Sequence, residues 1–180
     1  MTHPLLPDLA GFSTEHVRIA DGVIVVQAHS QRTSEACPDC AHLSSRIHSR
    51  YQRKLADLPC SGRIVRLVVH VSRFFCTHPS CPRKTFAETI PGLTERFARR
   101  TTRLKEVLER LGLALGGEPA SRLSAILAMT CSPDTLLRLL RRLPDDAIEP
   151  PRVVSLDDWS WRRGFRYGTI ICEPSAASPT

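Results

Sequence analysis

The sequence has no uninterrupted apolar run of about 18 residues, which is the length that a membrane-spanning helix needs. Its N-terminus, MTHPLLPDLAGF, has no basic start followed by an apolar segment, so it does not fit a secretory signal. The sequence also contains no internal repeat. These absences exclude membrane-spanning and secreted proteins, and they predict a cytoplasmic location with no membrane partner.

Lysine is scarce as well, because 22 of the 25 basic residues are arginine. The overall net charge is +7, but residues 37–142 alone carry +11 and the remainder carries −4. Arginine forms bidentate hydrogen bonds with phosphate and guanine better than lysine does. A basic block inside an otherwise acidic chain therefore favours nucleic acid as the partner. An arginine-rich codon usage is the alternative that charge alone leaves open.

Seven cysteines in a chain without a secretory signal indicate metal binding before disulfides. Cys37 and Cys40 enclose two residues, and Cys76 and Cys81 enclose four. Zinc prefers four tetrahedral ligands that come in such closely spaced pairs. We therefore predict a closed, structural zinc site in a zinc ribbon with Cys37, Cys40, Cys76 and Cys81 as ligands.

Two alternatives to this site were weighed. His78 lies inside the second turn and could replace one of the cysteines. A redox role for the first pair would need a thioredoxin-like βαβ context, and the sequence has none. The other three cysteines are expected to be small apolar residues without a metal: Cys60, Cys131 and Cys172.

The first half of the chain reads as β-structure. Residues 15–28 predict a hairpin, because Asp21-Gly22 separates two runs rich in β-branched residues. Residues 50–58 and 63–75 also read as strands. In the second of these, the alternation places five apolar residues on one side: Val65, Leu67, Val69, Val71 and Phe75.

Three helices are predicted next, over residues 94–115, 118–129 and 132–143. Apolar residues recur in them at three- and four-residue spacing, and Ser132-Pro133 is typical of a helix start. The last two helices and their short turn have helix-turn-helix proportions. An ordinary three-helix bundle with solvated arginines is the alternative.

In the helix-turn-helix interpretation, the third helix enters the major groove and its N-terminal residues face base edges. Arginines at its end and in the first helix would contact phosphates. The predicted DNA-binding residues are Arg99, Arg100, Arg103, Ser132, Asp134, Thr135, Arg138, Arg141 and Arg142.

Eight segments in order along the chain have the character of one known family: CPDC, HSRYQRKLADLP, RFFC, CPRKTFAE, RRTTRL, LGLALGGE, SPDTLLRLLRRLP and DDWSWRRGFRYGTI. Through them, residues 35–173 resemble the ISL-three-type insertion-sequence transposases of bacteria. That resemblance implies a zinc finger, a helix-turn-helix and an RNase H-like domain that cuts and joins DNA with an Asp-Asp-Glu set. It also implies that Asp157 is the first catalytic acid, with Asp158 in a supporting role.

The sequence also departs from that family. Ala41 and Cys60 replace residue types that are usual there, glycine in the first case, so Ala41 is expected to strain the turn of the first cysteine pair. Strand transfer needs several carboxylates around two Mg²⁺ ions, and Glu173 cannot supply both of the acids missing beside Asp157. We therefore expect a truncated, catalytically incomplete protein that binds DNA, with Mg²⁺ relevant only to a complete domain.

The predicted fold class is α+β, with a small β zinc ribbon, a three-helix helix-turn-helix and a truncated RNase H-like β-hairpin. The predicted functional partner is double-stranded DNA at the element ends, and a homodimer is left open. A transcriptional regulator and a protein-binding zinc-ribbon module are the alternative functions. The predicted domains are 1–34, a β-hairpin segment; 35–93, the zinc ribbon; 94–144, the helix-turn-helix; and 145–180, a linker with the start of the catalytic domain.

Overall fold

A computed structural model describes residues 11–144, 154–162, 164 and 166–172. The chain divides into two compact units, Met1–Arg142 and Leu143–Thr180. Within the described residues, no helix is both long and apolar enough to cross a membrane.

The first unit is built on a five-stranded sheet made from two hairpins. The first hairpin joins β1 (Phe12–Ala20) to β2 (Val23–Ser30), and the second joins β5 (Ile47–Cys60) to β6 (Arg63–Phe75). Both turns, at Asp21-Gly22 and Ser61-Gly62, have positive φ at both residues, which matches the twist of antiparallel strands.

The two hairpins merge because β2 pairs with β6 in parallel, from Ile24 opposite Val65 to His29 opposite His70. The strand order is β1-β2-β6-β5, and β7 (Thr85–Ala87) adds to the end of β6. Two short strands, β3 (Glu35–Ala36) and β4 (Leu43–Ser44), form a separate pair between the hairpins.

One face of the large sheet is covered and forms the main hydrophobic core. The residues that alternate along β6 are buried there, together with partners from β2 and β5 and two residues that follow β7. This confirms the predicted strand at residues 63–75 and four of its five inward residues. The core consists of Val26, Ala28, Leu55, Val65, Leu67, Val69, Val71, Ile90 and Leu93.

Three helices complete the first unit: α1 (Thr102–Leu115), α2 (Gly117–Ile126) and α3 (Pro133–Leu140). The Thr101 hydroxyl caps α1 by accepting a hydrogen bond from the Leu104 amide, and Ser132 caps α3 in the same way from Thr135. The helices share a second core, which consists of Leu104, Leu108, Ala120, Met129, Cys131, Leu136 and Leu139.

The predicted fold class is wrong. The chain is mainly β, and the expected three-helix helix-turn-helix after the ribbon is replaced by three short helices of 14, 10 and 8 residues. The strands of 14 and 13 residues in β5 and β6 give the sheet far more of the chain than a small ribbon would have. The N-terminal hairpin belongs to the same sheet through its pairing with β6.

The first predicted helix fails at its start, where residues 94–101 are not helical. They lie along the free edge of β5 instead: the Ala56 amide donates to the Arg99 carbonyl and the Thr101 amide donates to the Ala56 carbonyl, both at 2.9 Å. A strand edge that offers unpaired backbone groups competes with the helix for this segment. The helix therefore begins only at Thr102.

In the described part of the second unit, β8 (Ser155–Arg162) pairs with β9 (Arg166–Cys172) as an antiparallel hairpin. Asp157 is exposed on β8 opposite Ile170. Asp158, also exposed, accepts a hydrogen bond of 2.9 Å from the Thr169 hydroxyl. Glu173 lies outside the described residues.

Candidate metal centre and nucleic-acid surface

Four cysteine sulfurs converge at one end of the large sheet. The Sγ atoms of Cys37 and Cys81 are 3.9 Å apart, those of Cys40 and Cys76 are 3.6 Å apart, and all four lie within 4.8 Å of one another. Tetrahedral zinc at a Zn–S distance of about 2.3 Å sets its sulfurs about 3.8 Å apart. The spacing and the soft thiolate chemistry of this donor set therefore fit zinc.

Two hairpins deliver the two cysteine pairs. Cys37 and Cys40 lie in the turn between β3 and β4, where the Cys37 amide donates to the His42 carbonyl at 2.9 Å. Cys76 directly follows β6, and its amide donates at 2.9 Å to the carbonyl of Lys84, next to β7. Two turns on β-hairpins that share one metal make a zinc ribbon.

The turn of the first pair contains a strained residue. The Ala41 amide donates to the Cys37 carbonyl at 2.8 Å, and this closure puts Ala41 at φ = 56°. Glycine adopts that conformation without a steric penalty, whereas alanine does not. The strain that we predicted from the absence of glycine is therefore present.

The centre is closed by aromatic side chains. Cys37, Cys81, Phe74 and Phe86 form one buried cluster, and the two phenylalanine rings stack with centroids 6.0 Å apart. A site in which protein supplies all four ligands keeps no open position for a substrate. The zinc is therefore structural.

Packing four thiols together disturbs their acidity. Burial and, to a smaller extent, hydrogen bonds with the neighbouring thiols raise the pKa of the Cys81 thiol to about 12, although the Arg83 backbone acts to lower it. Burial also acts upward on Cys37, but backbone amides of Asp39 and Cys40 and the neighbouring thiols outweigh it and lower the pKa to about 7. Four thiolates cannot coexist here without a cation, so zinc binding must displace protons from the cluster.

An ion pair joins the two cysteine turns outside the metal. The Arg83 guanidinium donates to the Asp39 carboxylate at 2.7 Å. This hydrogen bond lowers the pKa of Asp39 and raises the pKa of Arg83. The contact connects Asp39, in the turn of the first cysteine pair, to Arg83, two residues after Cys81.

The remaining candidates lie elsewhere. His78 is exposed at the rim, with its ring centroid 5.7 Å from that of His42, and it is not one of the four converging ligands. Cys131 is buried in the helical core. Cys60 is half-buried near the β5–β6 turn. Nothing is described for the Cys172 side chain.

The second face of the large sheet is polar and basic. The strand registers place alternate residues of β1, β2, β6 and β5 together on it, opposite the face that carries the main core. Stacked rings of His29 and His70 lie near its centre with centroids 3.9 Å apart, and His29 Nε2 lies 2.9 Å from a carboxylate oxygen of Glu15. We call this the open face and define its exposed cations as Arg18, Arg50, Lys54 and Arg66.

The predicted DNA-binding residues have different surroundings in the structure. Arg99, Arg138, Arg141, Arg142 and Asp134 are exposed. The hydroxyls of Ser132 and Thr135 form a hydrogen bond with each other, with 2.9 Å between the two oxygens. Arg100 is half-buried and points Nη1 at the Cys131 sulfur, 3.8 Å away.

Arg103 has a structural partner that sequence reasoning missed. It binds the Asp57 carboxylate with two hydrogen bonds, one from Nε at 2.7 Å and one from Nη2. The Thr101 hydroxyl adds a third at 2.7 Å. A signal was available, because Asp57 follows Leu55 at the two-residue spacing of a buried strand face, and a buried carboxylate needs partners.

Comparison with known proteins identifies one segment. Residues 33–83 match the family described as zinc-finger of transposase IS204/IS1001/IS1096/IS1165. No curated protein and no solved structure matches the chain. The matched segment contains both cysteine pairs and the three strands between them, β4, β5 and β6, and it supports a nucleic-acid-binding role. The chain therefore carries, at residues 33–83, the structural zinc finger of the ISL-three-type insertion-sequence transposases.

Proposed function

We propose that this chain is the DNA-binding part of an insertion-sequence transposase, and that it recognises duplex DNA at the ends of its element in the cytoplasm. The observation that carries the proposal is the four-thiol centre inside a segment that matches a transposase zinc finger. A structural zinc performs no chemistry on DNA. Its part is to fix the sheet and the two cysteine turns in one arrangement.

Charge supports DNA as the partner. The four exposed cations of the open face lie on strands that rise about 3.3 Å per residue. Their side chains are therefore spaced widely enough to contact several phosphates of a duplex. Arginine and lysine that contact phosphates hold a protein on the duplex but do not read its sequence. We therefore assign general DNA affinity to Arg18, Arg50, Lys54 and Arg66.

Residues of the helical part, all exposed except the half-buried Thr135 and Arg100, are the proposed further contacts: Ser132, Asp134, Thr135, Arg138, Arg141 and Arg142, with Arg99 and Arg100 before α1. Arg103 leaves this set, because its guanidinium is already held by Asp57. Asp157 stays proposed as the first acid of an Asp-Asp-Glu set, which would hold Mg²⁺ only with further acids. Its replacement by asparagine should leave DNA binding unchanged.

A gel-shift experiment tests the proposal with a duplex of about 20 base pairs, the length of two helical turns. Zinc-loaded protein should bind an element-end duplex, and binding should weaken steeply between about 50 and 200 mM salt as counterions are released. Chelation of the zinc should weaken binding, because the two cysteine turns then lose their fixed arrangement. Salt-independent binding, or the same affinity with and without zinc, would contradict the proposal.

A matched pair of variants locates the surface. Replacing Arg50, Lys54 and Arg66 together by alanine should reduce the slope of log affinity against log salt by about 3, close to one per lost phosphate contact. Replacing Arg110, which is exposed on α1 and off the open face, should leave the slope unchanged. The same reduction in slope per removed charge in the two variants would show that only total charge matters.

A further inference from the structure

Phe97 is presented to solvent in a way that stability alone does not explain. Its side chain is 82% exposed, although a phenylalanine gains most when buried. Its backbone lies at φ = 62°, a region that is rare for a bulky residue and unfavourable without support. The fold therefore holds an apolar ring outward at an energetic cost, and such strain is concentrated at functional sites.

Several hydrogen bonds prevent the loop from relaxing. The Arg53 guanidinium reaches over from β5 and donates to the carbonyls of Glu95 and Ala98, at 3.2 and 2.8 Å. The Thr94 hydroxyl donates to the Arg100 carbonyl at 2.9 Å. Both ends of the segment are thus fixed to the sheet, and Phe97 lies at its tip.

The surroundings of the ring are cationic. The Arg96 guanidinium carbon lies 4.7 Å from the centroid of the Phe97 ring, and Arg99 is exposed two residues further on. The acid of this segment, Glu95, is neutralised by Lys105 at 2.6 Å. An exposed aromatic ring flanked by arginines matches a duplex, which offers phosphates outside and stacked base faces within.

We propose that Phe97 is an apolar wedge that this loop inserts between adjacent base pairs of duplex DNA, while Arg96 and Arg99 hold the neighbouring phosphates. The inference rests on the proposed function, since it requires that the chain bind duplex DNA. Side chains of this type partly unstack a base step and kink the helix. A preformed, rigid loop lowers the entropy that binding would otherwise lose.

The test compares Phe97→Gly with the unaltered zinc-loaded protein on a duplex of about 20 base pairs that carries 2-aminopurine, a base whose fluorescence rises when it is unstacked. Glycine accepts positive φ, so the variant should melt at the same or a higher temperature. Its affinity for the duplex should nevertheless fall on the order of tenfold, the scale of one base–aromatic contact. The fluorescence rise seen with the unaltered protein should disappear.

Two further variants act as controls. Phe97→Trp keeps a large ring and should retain both the affinity and the fluorescence rise. Ile126→Ala removes another exposed apolar side chain, 81% exposed at the end of α2, and should change neither.

The outcomes separate the wedge from the proposed function. If the unaltered protein does not bind duplex, both fail. If it binds duplex and Phe97→Gly does so equally well, the wedge alone is wrong. A lower melting temperature of Phe97→Gly would show that the ring is structural and would overturn the wedge. An affinity loss confined to single-stranded DNA would overturn insertion into a duplex as well.

Discussion

The β5–β6 hairpin is stabilised by different chemistry at its two ends. At the end where β5 begins and β6 finishes, Phe74 and Phe86 pack against Cys37 and Cys81 around the metal ligands. Near the turn of the hairpin, the Asp57 carboxylate of β5 is fully buried and accepts hydrogen bonds from Thr101 and Arg103, which connect it to α1. The first end needs an added ion, whereas the second end uses only groups that the chain supplies.

The difference follows from how much apolar surface each end can bury. The main core lies along the middle of the sheet, and the zinc end has only a few buried residues of its own. A small core can be completed by a metal, and structural zinc contributes folding free energy directly. At the turn end Leu58 of β5 packs against the helical core, so a single buried polar cluster is sufficient to fix how the sheet contacts α1.

The largest effect is expected from loss of zinc. Cys81→Ser removes a buried ligand, and the free energy at stake is on the order of 10 kcal/mol, the scale of zinc binding to structural sites. The variant should lose zinc and lose amide-exchange protection at residues 35–44 and 76–87. Because the main core contains none of the four metal ligands, Val69 in the centre of β6 should keep its protection.

Cys60→Ser is the matched control for that experiment, since Cys60 lies outside the four-sulfur cluster. Zinc content and exchange protection should remain those of the unaltered protein. Loss of protection at Val69 in Cys81→Ser would contradict the comparison, because it would mean that the metal and the main core fold as one unit.

A smaller loss is expected from the polar cluster at the turn end. Asp57→Ala removes a carboxylate that is 0% exposed and leaves Arg103, which is 35% exposed, without its partner. Breaking a buried pair from one side typically destabilises by about 3–5 kcal/mol, and partial exposure of Arg103 favours the lower value. Urea unfolding of the zinc-loaded protein measures this, and the bound zinc should be unchanged in the native state.

The corresponding control at the zinc end is Asp39→Ala. Asp39 and Arg83 form an ion pair of similar length, but both are partly exposed to solvent, so little stability should be lost. Combining Asp57→Leu with Arg103→Leu should restore part of the stability lost in Asp57→Ala, because an apolar pair needs no hydrogen bonds. Equal losses in Asp57→Ala and Asp39→Ala would show that burial does not distinguish the two ends.

The metal centre could be predicted from the sequence because its information is local. Zinc sites in proteins use a few ligand types at short spacing within each pair. The two closely spaced cysteine pairs, Cys37 with Cys40 and Cys76 with Cys81, therefore predict the site. The Asp21-Gly22 turn is local too, and the structure has the hairpin that it predicts.

The sheet could not be predicted in the same way. The parallel pairing of β2 with β6 places Ile24 opposite Val65, 41 positions apart in the sequence. Nothing in the sequence of either strand indicates which strand it pairs with. Simple alternation along β6 predicts Phe75 inward. Phe74 is fully buried instead, because Cys37, Cys81 and Phe86 pack against it at the zinc end, whereas Phe75 is half-buried.

The helical expectation failed for a related reason. The spacing of Phe97 and Leu104 fits a helix face, but the backbone of residues 99–101 pairs with β5 at Ala56. Apolar periodicity predicts which side chains could share a helix face. It cannot predict that the edge of β5 lies close enough to pair with this backbone, because the position of that edge depends on how distant strands assemble into the sheet.

The smallest effect is expected from Ala41, in the first cysteine turn at the zinc end of the hairpin. Ala41 is held at φ = 56° by the turn that delivers Cys37 and Cys40, so Ala41→Gly should stabilise the zinc-loaded protein by about 1 kcal/mol. Thermal melting measures the gain. Ala36→Gly is the control, because Ala36 lies in β3 with ordinary strand geometry and glycine there should destabilise. If Ala41→Gly melted no higher than the unaltered protein, the strain in this turn would be offset within the turn itself. A gain would instead mean that the metal's binding free energy holds Ala41 in an unfavourable conformation.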